Sequence, residues 1–316
     1  MKSYNNFIGI DIGKFNFVVA VHGQKTTCEF ENTSQRIKAF IKDYRHIFTD
    51  SLCILETTGG YELELLYTLC VNKIHVHRAD TRKVKNFIRS YGNTVKTDSM
   101  DAKALAKYGY ERKDHLELFV PQSKRAIELY QLVQRRSDLK QMLIAEKNRL
   151  QSPSTLTVKA SCQFMIQTIT SQIEEITEQI RLMIDQDPTL KQKQEILKTI
   201  PGIGNIVAFE LLILMPELGT IDRRKIASLA GVAPRANDSG TYQGYRKTGH
   251  GRNGIKPILF LAAMAARNSK SELKSFYEKL ITKGKKKMVA LTALMRKILI
   301  IANAKLKKFN STLKHS

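Results

Sequence analysis

Four carboxylates in three separate segments have the residue types and positions that a divalent metal site would need. Asp11 lies in a strand-like run near the N-terminus, and Glu56 ends the second apolar run. Asp98 and Asp101 stand three residues apart at the start of a predicted helix, so both would project from one helix face. Acids gathered at one sheet edge repel one another unless a divalent cation lies between them. On a chain with a formal net charge of +23, this pattern indicates Mg²⁺-assisted phosphodiester chemistry.

Each of these acids also has a purely structural interpretation. Asp98 could be a helix N-cap. Asp101 could be an acid that merely complements the helix dipole in the first turn. Glu56 could be a surface acid at the end of a strand. The four residues together, in this order on an alternating pattern of strands and helices, favour the metal site.

A second candidate for chemistry is Ser239, which precedes Gly240 in a polar loop predicted between two helices. A serine hydroxyl is a poor nucleophile until a base or a metal activates it, and cations must stabilise a charged phosphate. The loop supplies cations in Arg246, Lys247 and Arg252. Local chemistry alone, however, favours an ordinary loop serine over a nucleophile at this position.

The segment that contains Gly202 and Gly204 has the pattern of a helix-hairpin-helix. An apolar residue, then Pro-Gly-Ile-Gly, then an apolar helix places two glycines in a tight turn. Free backbone N–H groups at the start of the second helix can accept a phosphate without reading sequence. A simple helical corner is the alternative.

The composition favours a folded protein that handles nucleic acid. The 52 Lys and Arg outnumber the 29 Asp and Glu, so a polyanion is the expected partner. No apolar run is long enough for a membrane span, and the N-terminal residues lack the pattern of a signal peptide. The four cysteines form no Cys-x-x-Cys pair, which disfavours zinc. We therefore expect a cytoplasmic protein that associates with the nucleoid when it is on DNA.

The predicted elements divide the chain into an α/β part and an all-α part. Predicted strands cover Phe7–Asp11, Phe15–Val21, Thr26–Glu31, Leu52–Glu56 and Lys73–His77, and predicted helices cover Ser34–Tyr44, Tyr61–Val71 and Thr81–Tyr91. Three strands followed by alternating helices and strands predict a mixed sheet with helices on its faces, as in the RNase-H-like architecture. Ser34 is the expected N-cap of the first helix.

Long helices follow from about residue 123 to 186. Apolar residues at Ile169, Ile173, Ile176, Ile180 and Met183 form a heptad seam. We predict an antiparallel helical hairpin with a turn at Ser152–Ser154, or a coiled coil that pairs protomers. A bundle layer inside one globular unit is equally compatible with the pattern. Residues 195–316 are predicted to be mostly helical, with a basic C-terminal helix.

Taken together, these residues resemble the DEDD transposases of bacterial insertion sequences, which include the Piv-type invertases and the bridge-RNA-guided recombinases. Asp11, Glu56, Asp98 and Asp101 match the acidic tetrad of that family's RuvC-like domain. The stretch that ends in Ser239 and Gly240 matches its C-terminal transposase domain. The resemblance implies a catalytic domain at 1–122, a coiled-coil dimerisation region at 123–190 and a transposase domain at 191–316.

The resemblance also implies a mechanism and a set of partners. The carboxylates would bind Mg²⁺ at the scissile phosphate, and Ser239 would attack to give a phosphoserine–DNA intermediate. The metal site and the serine of one active centre would come from different protomers of a dimer, or of a tetramer on DNA. A structured non-coding bridge RNA would guide the protein to target and donor DNA.

Two other function classes remain open. A metal-dependent Holliday-junction resolvase or nuclease would use the same carboxylates without serine catalysis. A non-enzymatic nucleic-acid-binding protein would use the acids only structurally. The segment around Asp11 is also similar to the first phosphate loop of actin-like ATPases, but the second Asp-x-Gly strand of those proteins is missing. His75, His77 and His250 are not expected to bind metal.

Overall fold

The chain forms two compact units, residues 1–122 and 123–316. The computed structural model describes residues 4–91, 97–236, 238–249 and 251–313. The first unit is a mixed α/β domain, as predicted, and the second is mostly helical. No helix in these described ranges has the length and the apolar content of a membrane span.

The first unit is built on a five-stranded sheet. Its elements are β1 (Asn6–Ile12), β2 (Asn16–Val21), β3 (Thr27–Glu31), α1 (Ser34–Asp43), β4 (Ser51–Glu56), α2 (Leu63–Val71), β5 (His75–Ala79), α3 (Thr81–Arg89) and α4 (Asp98–Arg112). The strand order is β3-β2-β1-β4-β5. The first three strands are antiparallel neighbours, whereas β4 and β5 run parallel to β1. Parallel pairing places the carboxyl ends of β1, β4 and β5 at one edge.

Each face of this sheet is covered by helices. Apolar residues of one face pack against α1 and α2, where Phe40 and Leu66 are buried. The opposite face packs against α3 and α4 through Phe87, Leu105 and Tyr108. Because β1 and β4 are buried on both faces, their sequences are almost continuously apolar.

Several predicted boundaries differ from the observed ones by one or two residues, and two of these differences have clear local reasons. The N-cap of α1 is Thr33, whose side-chain oxygen accepts a hydrogen bond from the Arg36 backbone N–H at 3.4 Å, and Ser34 is the first helical residue. The strand predicted at residues 73–77 begins at His75 instead. Lys73 has a φ of 60°, which ends the turn after α2 and is incompatible with a strand.

The second unit begins with two long antiparallel helices and continues as a helical bundle. Its helices are α5 (Lys124–Gln151), α6 (Leu156–Asp185), α7 (Pro188–Lys198), α8 (Asn205–Leu214), α9 (Arg223–Leu229), α10 (Ile255–Ala266), α11 (Glu272–Thr282) and α12 (Lys287–Leu313). Two short strands, β6 (Asp238–Ser239) and β7 (Tyr242–Gln243), lie between α9 and α10. The predicted turn at Ser152–Ser154 falls between α5 and α6, as expected.

The boundary predicted at residue 190 is not a break in packing. Ile169, Ile176 and Ile180 of the heptad seam are buried in one core with residues of α7 to α12, so the seam packs inside the unit. A buried ion pair joins the same parts: Arg136 on α5 contacts Glu210 on α8 at 2.7 Å. The helical hairpin and the C-terminal helices therefore form one compact unit, and a separate role for residues 123–190 stays a prediction.

Candidate active site

A glycine in the middle of β1 sets the position of α4. A Cβ atom on Gly9 would collide with the backbone of α4 at Ala102 and Ala106, so only glycine allows the helix to lie this close to the strand. A Cβ atom on Gly109, further along α4, would collide with the side chain of Ile54 on β4 and touch that of Phe7 on β1. The helix therefore runs antiparallel to β1, because its later residues lie beside the earlier part of the strand. Its first turn points toward the carboxyl end of β1.

Asp11 and Glu56 lie side by side at this end of the sheet. In the parallel pairing of β1 with β4, Ile10 is opposite Leu55, and Asp11 and Glu56 are the next residues on the two strands. Neighbouring strands are about 4.8 Å apart. Asp11 is two residues after Gly9, so it lies on the face that α4 covers. Glu56 lies on the same face, because alternate residues of β4 pack toward α3 and α4.

Asp98 and Asp101 occupy the first turn of α4, as predicted. The N-cap is Thr97, whose hydroxyl oxygen accepts a hydrogen bond from the Met100 backbone N–H at 3.3 Å. The interpretation of Asp98 as an N-cap is therefore wrong. Asp98 is exposed and Asp101 is half-buried. A second contact holds this turn, since the hydroxyl of Ser99 lies 3.0 Å from the hydroxyl of Thr27 on β3.

The backbone thus brings the four predicted carboxylates to one edge and one face of the sheet. Their oxygen atoms are the donors that Mg²⁺ prefers, so the residue types fit this ion. Among the residues that the structure describes, no three His, Cys, Asp or Glu side chains form a group that could hold a metal ion as they stand. Shared metal binding therefore requires that these carboxylates turn toward one another.

Ser239 lies at the tip of a short β-hairpin, where the sequence predicted an irregular loop. Ser239 on β6 pairs with Tyr242 on β7, and Gly240 takes a φ of 55° in the tight turn between them. The serine is exposed. Asp238, the residue before it, accepts two hydrogen bonds from Nη1 of Arg246, both at 2.8 Å, so this predicted cation is paired with an acid of the hairpin.

Two glycines close the base of the segment that carries this hairpin. Gly231 takes a φ of 69°, and a Cβ atom on Gly251 would collide with the backbone of Gly231. Arg252 also joins this segment to the end of α8, since its Nη1 donates to the Leu214 carbonyl at 2.6 Å and to Glu217 at 2.8 Å. These contacts engage the guanidinium inside the unit, which favours a structural role for Arg252 over the expected phosphate contact. Lys247 continues the hairpin, because its carbonyl accepts a hydrogen bond from the Arg235 backbone N–H at 2.9 Å.

Comparison with known proteins covers both of these regions. Residues 8–157 match a model described as a transposase of the DEDD, IS110 type, and residues 194–278 match one described as transposase IS116/IS110/IS902 family. The pilin gene-inverting proteins of Moraxella lacunata and Moraxella bovis are each 30% identical to the chain in an alignment of 308 residues that covers 94% of each sequence. The chain belongs to the IS110 family of transposases.

Membership of the IS110 family confirms the predicted resemblance to insertion-sequence transposases. It makes the chain a DNA recombinase of the transposase and DNA invertase type, with DNA as its substrate. The two matched regions contain the two candidate parts of the site. The first includes all four carboxylates, and the second includes the hairpin with Ser239.

Sequence reasoning missed one buried acid of this IS110-family chain. Glu62 is fully buried and organises the loop that follows Glu56. Its carboxylate accepts hydrogen bonds from the Thr58 backbone N–H at 3.2 Å, from the Thr58 hydroxyl at 3.0 Å and from the Gly60 N–H at 2.9 Å. It also pairs with Arg78 on β5. The signal in the sequence that could have identified Glu62 is its position two residues after the Gly59-Gly60 pair.

The ionisation of Glu62 follows from these contacts. Burial alone would raise the pKa of its carboxyl group. Hydrogen bonds from backbone N–H groups and from Arg78 act in the opposite direction, and the pKa lies below its ordinary value. Glu62 is therefore a carboxylate that positions the loop beside Glu56, with its charge balanced by Arg78.

The predicted helix-hairpin-helix segment forms two helices, α7 and α8, joined by a tight turn. Gly202 takes a φ of 91°, and a Cβ atom there would collide with the carbonyl of Ala262 on α10. This glycine therefore serves the packing of the turn as well as its shape. Gly204 is the N-cap of α8, and no side chain caps that helix. Phosphate binding by this turn stays a prediction.

Proposed function

We propose that this transposase cuts and exchanges DNA strands with a composite centre made of Asp11, Glu56, Asp98, Asp101 and Ser239. The observation that carries the proposal is the contact of Gly9 with α4, which directs two acids of the helix toward the strand ends that carry the other two. The strand order of the sheet also supports an RNase-H-like, RuvC-like interpretation of this unit. When bound at these carboxylates, Mg²⁺ would stabilise charge on the scissile phosphate.

In the proposed reaction, the Ser239 hydroxyl is the nucleophile. A bond forms between Oγ of Ser239 and phosphorus, and the bond between phosphorus and the departing deoxyribose oxygen breaks. The serine loses its proton, and the departing oxygen gains one. A deoxyribose hydroxyl released from the second duplex then attacks the phosphoserine and regenerates the serine. The number of phosphodiester bonds is unchanged, so strand exchange needs no nucleotide cofactor.

Cations of the hairpin would bind the phosphate during this exchange. Arg246 forms an ion pair with Asp238, the residue before the serine, and would have to exchange that partner to bind the phosphate, whereas Lys247 follows it in the chain. Preorganised cations stabilise the charge of a phosphoryl-transfer transition state more than mobile ones do. The turn at Gly202 and Gly204 would contact DNA backbone away from the reacting phosphate.

We also propose that protomers pair through the outer end of the α5–α6 hairpin. The inner part of the heptad seam is buried inside the unit, whereas the outer end exposes large apolar residues. Those that are at least 46% exposed are Met142, Ile144, Leu156, Val158 and Phe164. Apolar surface of this kind marks an interaction site. Pairing of this kind would let carboxylates of one protomer meet Ser239 of another.

A bridge RNA is the proposed guide that selects target and donor DNA. The net charge of +23 supports this partner, because the same excess of cations can neutralise the backbones of two nucleic acids. In such a complex, base pairing would read the sequence, and the protein would contact mainly backbone and shape.

The test is recombination in cells, scored as new DNA junctions from a plasmid with the gene and its native flanking DNA. We expect Ser239→Ala and Asp11→Ala each to abolish junctions at matched expression, because each removes one half of the proposed chemistry. Matched controls are Thr241→Ala, which removes a hydroxyl from the same hairpin, and Asp43→Asn, which removes an exposed acid of the same unit. Both controls should recombine normally.

Mass spectrometry of trapped complexes provides the second measurement. Wild type should yield a DNA fragment attached to Ser239, and Asp11→Ala should not. If Ser239→Ala still recombines, serine catalysis is wrong, and a metal-dependent nuclease or resolvase mechanism replaces it. If Asp11→Ala recombines, the proposed metal site is wrong.

A further inference from the structure

The second unit contains a cavity that neither the carboxylates nor Ser239 uses. It has a volume of about 780 Å³ and lies between the segment 232–248 and the helices α11 and α12. Tyr245, Arg246 and Lys247, which line the cavity, follow the Ser239 hairpin in the chain, and Arg246 pairs with Asp238, the residue before Ser239. Its size is within the range of pockets that hold small organic ligands.

The cavity combines an apolar interior with a cationic rim. Phe276 of α11 and Ile300 of α12 contribute apolar surface, and Tyr245 contributes an exposed aromatic ring. Lys247, Arg296 and Lys297 supply positive charge, and Arg246 lines the same rim with its charge paired to Asp238. No acidic side chain is among the described residues that line it. This combination fits a ligand with a flat apolar body and a negative charge.

Arg296 is the residue that points most directly to a ligand. Its Nε atom is buried and has no hydrogen-bond partner among the residues that the structure describes. An unpaired buried donor is costly, and native proteins rarely keep one without a reason. Lys297, on the same helix, lies 4.2 Å from the centre of the Phe276 ring and covers that side of the interior. Because Nε is closed to solvent, an anion in the cavity would pair with it only after the Arg296 side chain turned toward that anion.

We propose that this cavity receives one unstacked nucleotide of the DNA strand that Ser239 attacks. The base would lie against Tyr245, whose ring is exposed, and its phosphate would contact Arg296 and Lys247. Stacking on aromatic rings and contacts to cations are the two means by which proteins hold single-stranded nucleic acid. Holding a base out of the helix would fix the strand beside the hairpin. The inference rests on the proposed function of Ser239.

A second copy of the chain is a less suitable occupant of this cavity. Each copy has a formal net charge of +23, so a second copy would bring further positive charge to a rim where only Asp238, paired with Arg246, offsets the four cations. A phosphodiester strand complements the rim, and the rings inside suit bases of any sequence. Charge complementarity therefore decides between the two.

The experiment measures binding without cleavage, in the Ser239→Ala background of the full chain and with EDTA present. The probe is a short oligodeoxythymidine with one central 2-aminopurine, whose fluorescence responds when the base leaves its stack. We expect a fluorescence change on binding and about tenfold weaker binding after Arg296→Gln or after Ala293→Trp, which fills the cavity. Lys308→Gln removes one charge from the same helix outside the cavity and should leave the fluorescence change intact.

Photocrosslinking locates the base directly. A 4-thiothymidine at the central position should crosslink to Tyr245, and Ala293→Trp should abolish that crosslink. Crosslinks elsewhere, or equal binding by all variants, would overturn the proposal, as would preference for the matching RNA oligomer. Because Ser239 is already replaced and metal is absent, failure of serine or metal catalysis would leave this result unaffected.

Discussion

Gly9 is the residue on which the arrangement of the carboxylates depends most. The backbone of α4 occupies the space that a side chain at this position would need. We expect Gly9→Ala to destabilise the first unit by about 1–3 kcal/mol, the usual cost of forcing atoms into a packed core. The loss of recombination should be larger than the fraction of unfolded protein explains, because the first turn of α4 would move away from Asp11.

Urea unfolding and the junction assay together check this prediction. Gly249→Ala is the matched control, because a Cβ atom there meets nothing within 4 Å and the change should be neutral. Unchanged stability and recombination in Gly9→Ala would show that the helix can move without disturbing the acids.

Glu62 gives a prediction with a defined dependence on pH. The pKa of its carboxyl group is lower in the folded chain than in the unfolded one, so its contribution is present above the unfolded pKa. That contribution is lost as the pH falls through the folded pKa. Glu62→Gln should therefore lower the free energy of unfolding by about 1.5–3 kcal/mol at neutral pH, and the difference from wild type should shrink in acid.

Urea unfolding at neutral and acidic pH measures this difference. Glu128→Gln changes an exposed acid in the other unit and should behave as wild type at both pH values. A difference that stayed constant with pH would mean that the charge of Glu62 does not stabilise the loop after Glu56.

At the residue scale, the sequence identified the acids but not the contacts that position them. Asp98 and Asp101 were predictable as the first turn of a helix, because spacing along one helix is a local property. The approach of that helix to Gly9 was not predictable, since it depends on residues far apart in the chain. The same holds for Glu62, whose partner Arg78 lies on another strand.

At the element scale, helices and strands of the first unit were largely predictable from alternation and periodicity. The hairpin that carries Ser239 was not, because each of its strands has only two residues and no apolar pattern. The heptad seam of α6 shows a different limit. Its period correctly indicated a buried face, but a period does not specify what buries it, and the partners are helices of the same unit.

At the scale of the whole molecule, the exposed end of the α5–α6 hairpin predicts how protomers associate. We expect the double change Leu156→Ser and Phe164→Ser to weaken self-association about tenfold or more, because both side chains are exposed on the outer end and lie outside the shared core. Thermal stability should change little. Sedimentation at several protein concentrations would measure the effect.

Leu182→Ser is the control for this change. Leu182 is also an exposed apolar residue of α6, but it lies at the opposite end of the helix. If this control dissociates the protein and the double variant does not, pairing takes place near the base of the hairpin instead.

The contact between Gly9 and α4 also bears on how such chains can diverge. The distance between Asp11 and the acids of α4 is set by packing across the sheet, and the number of residues between them does not determine it. Insertions and deletions in the intervening loops should therefore accumulate among relatives without loss of activity. The interval of two residues from this glycine to Asp11 should not change, because a shift of one residue would turn the acid to the other face of the sheet.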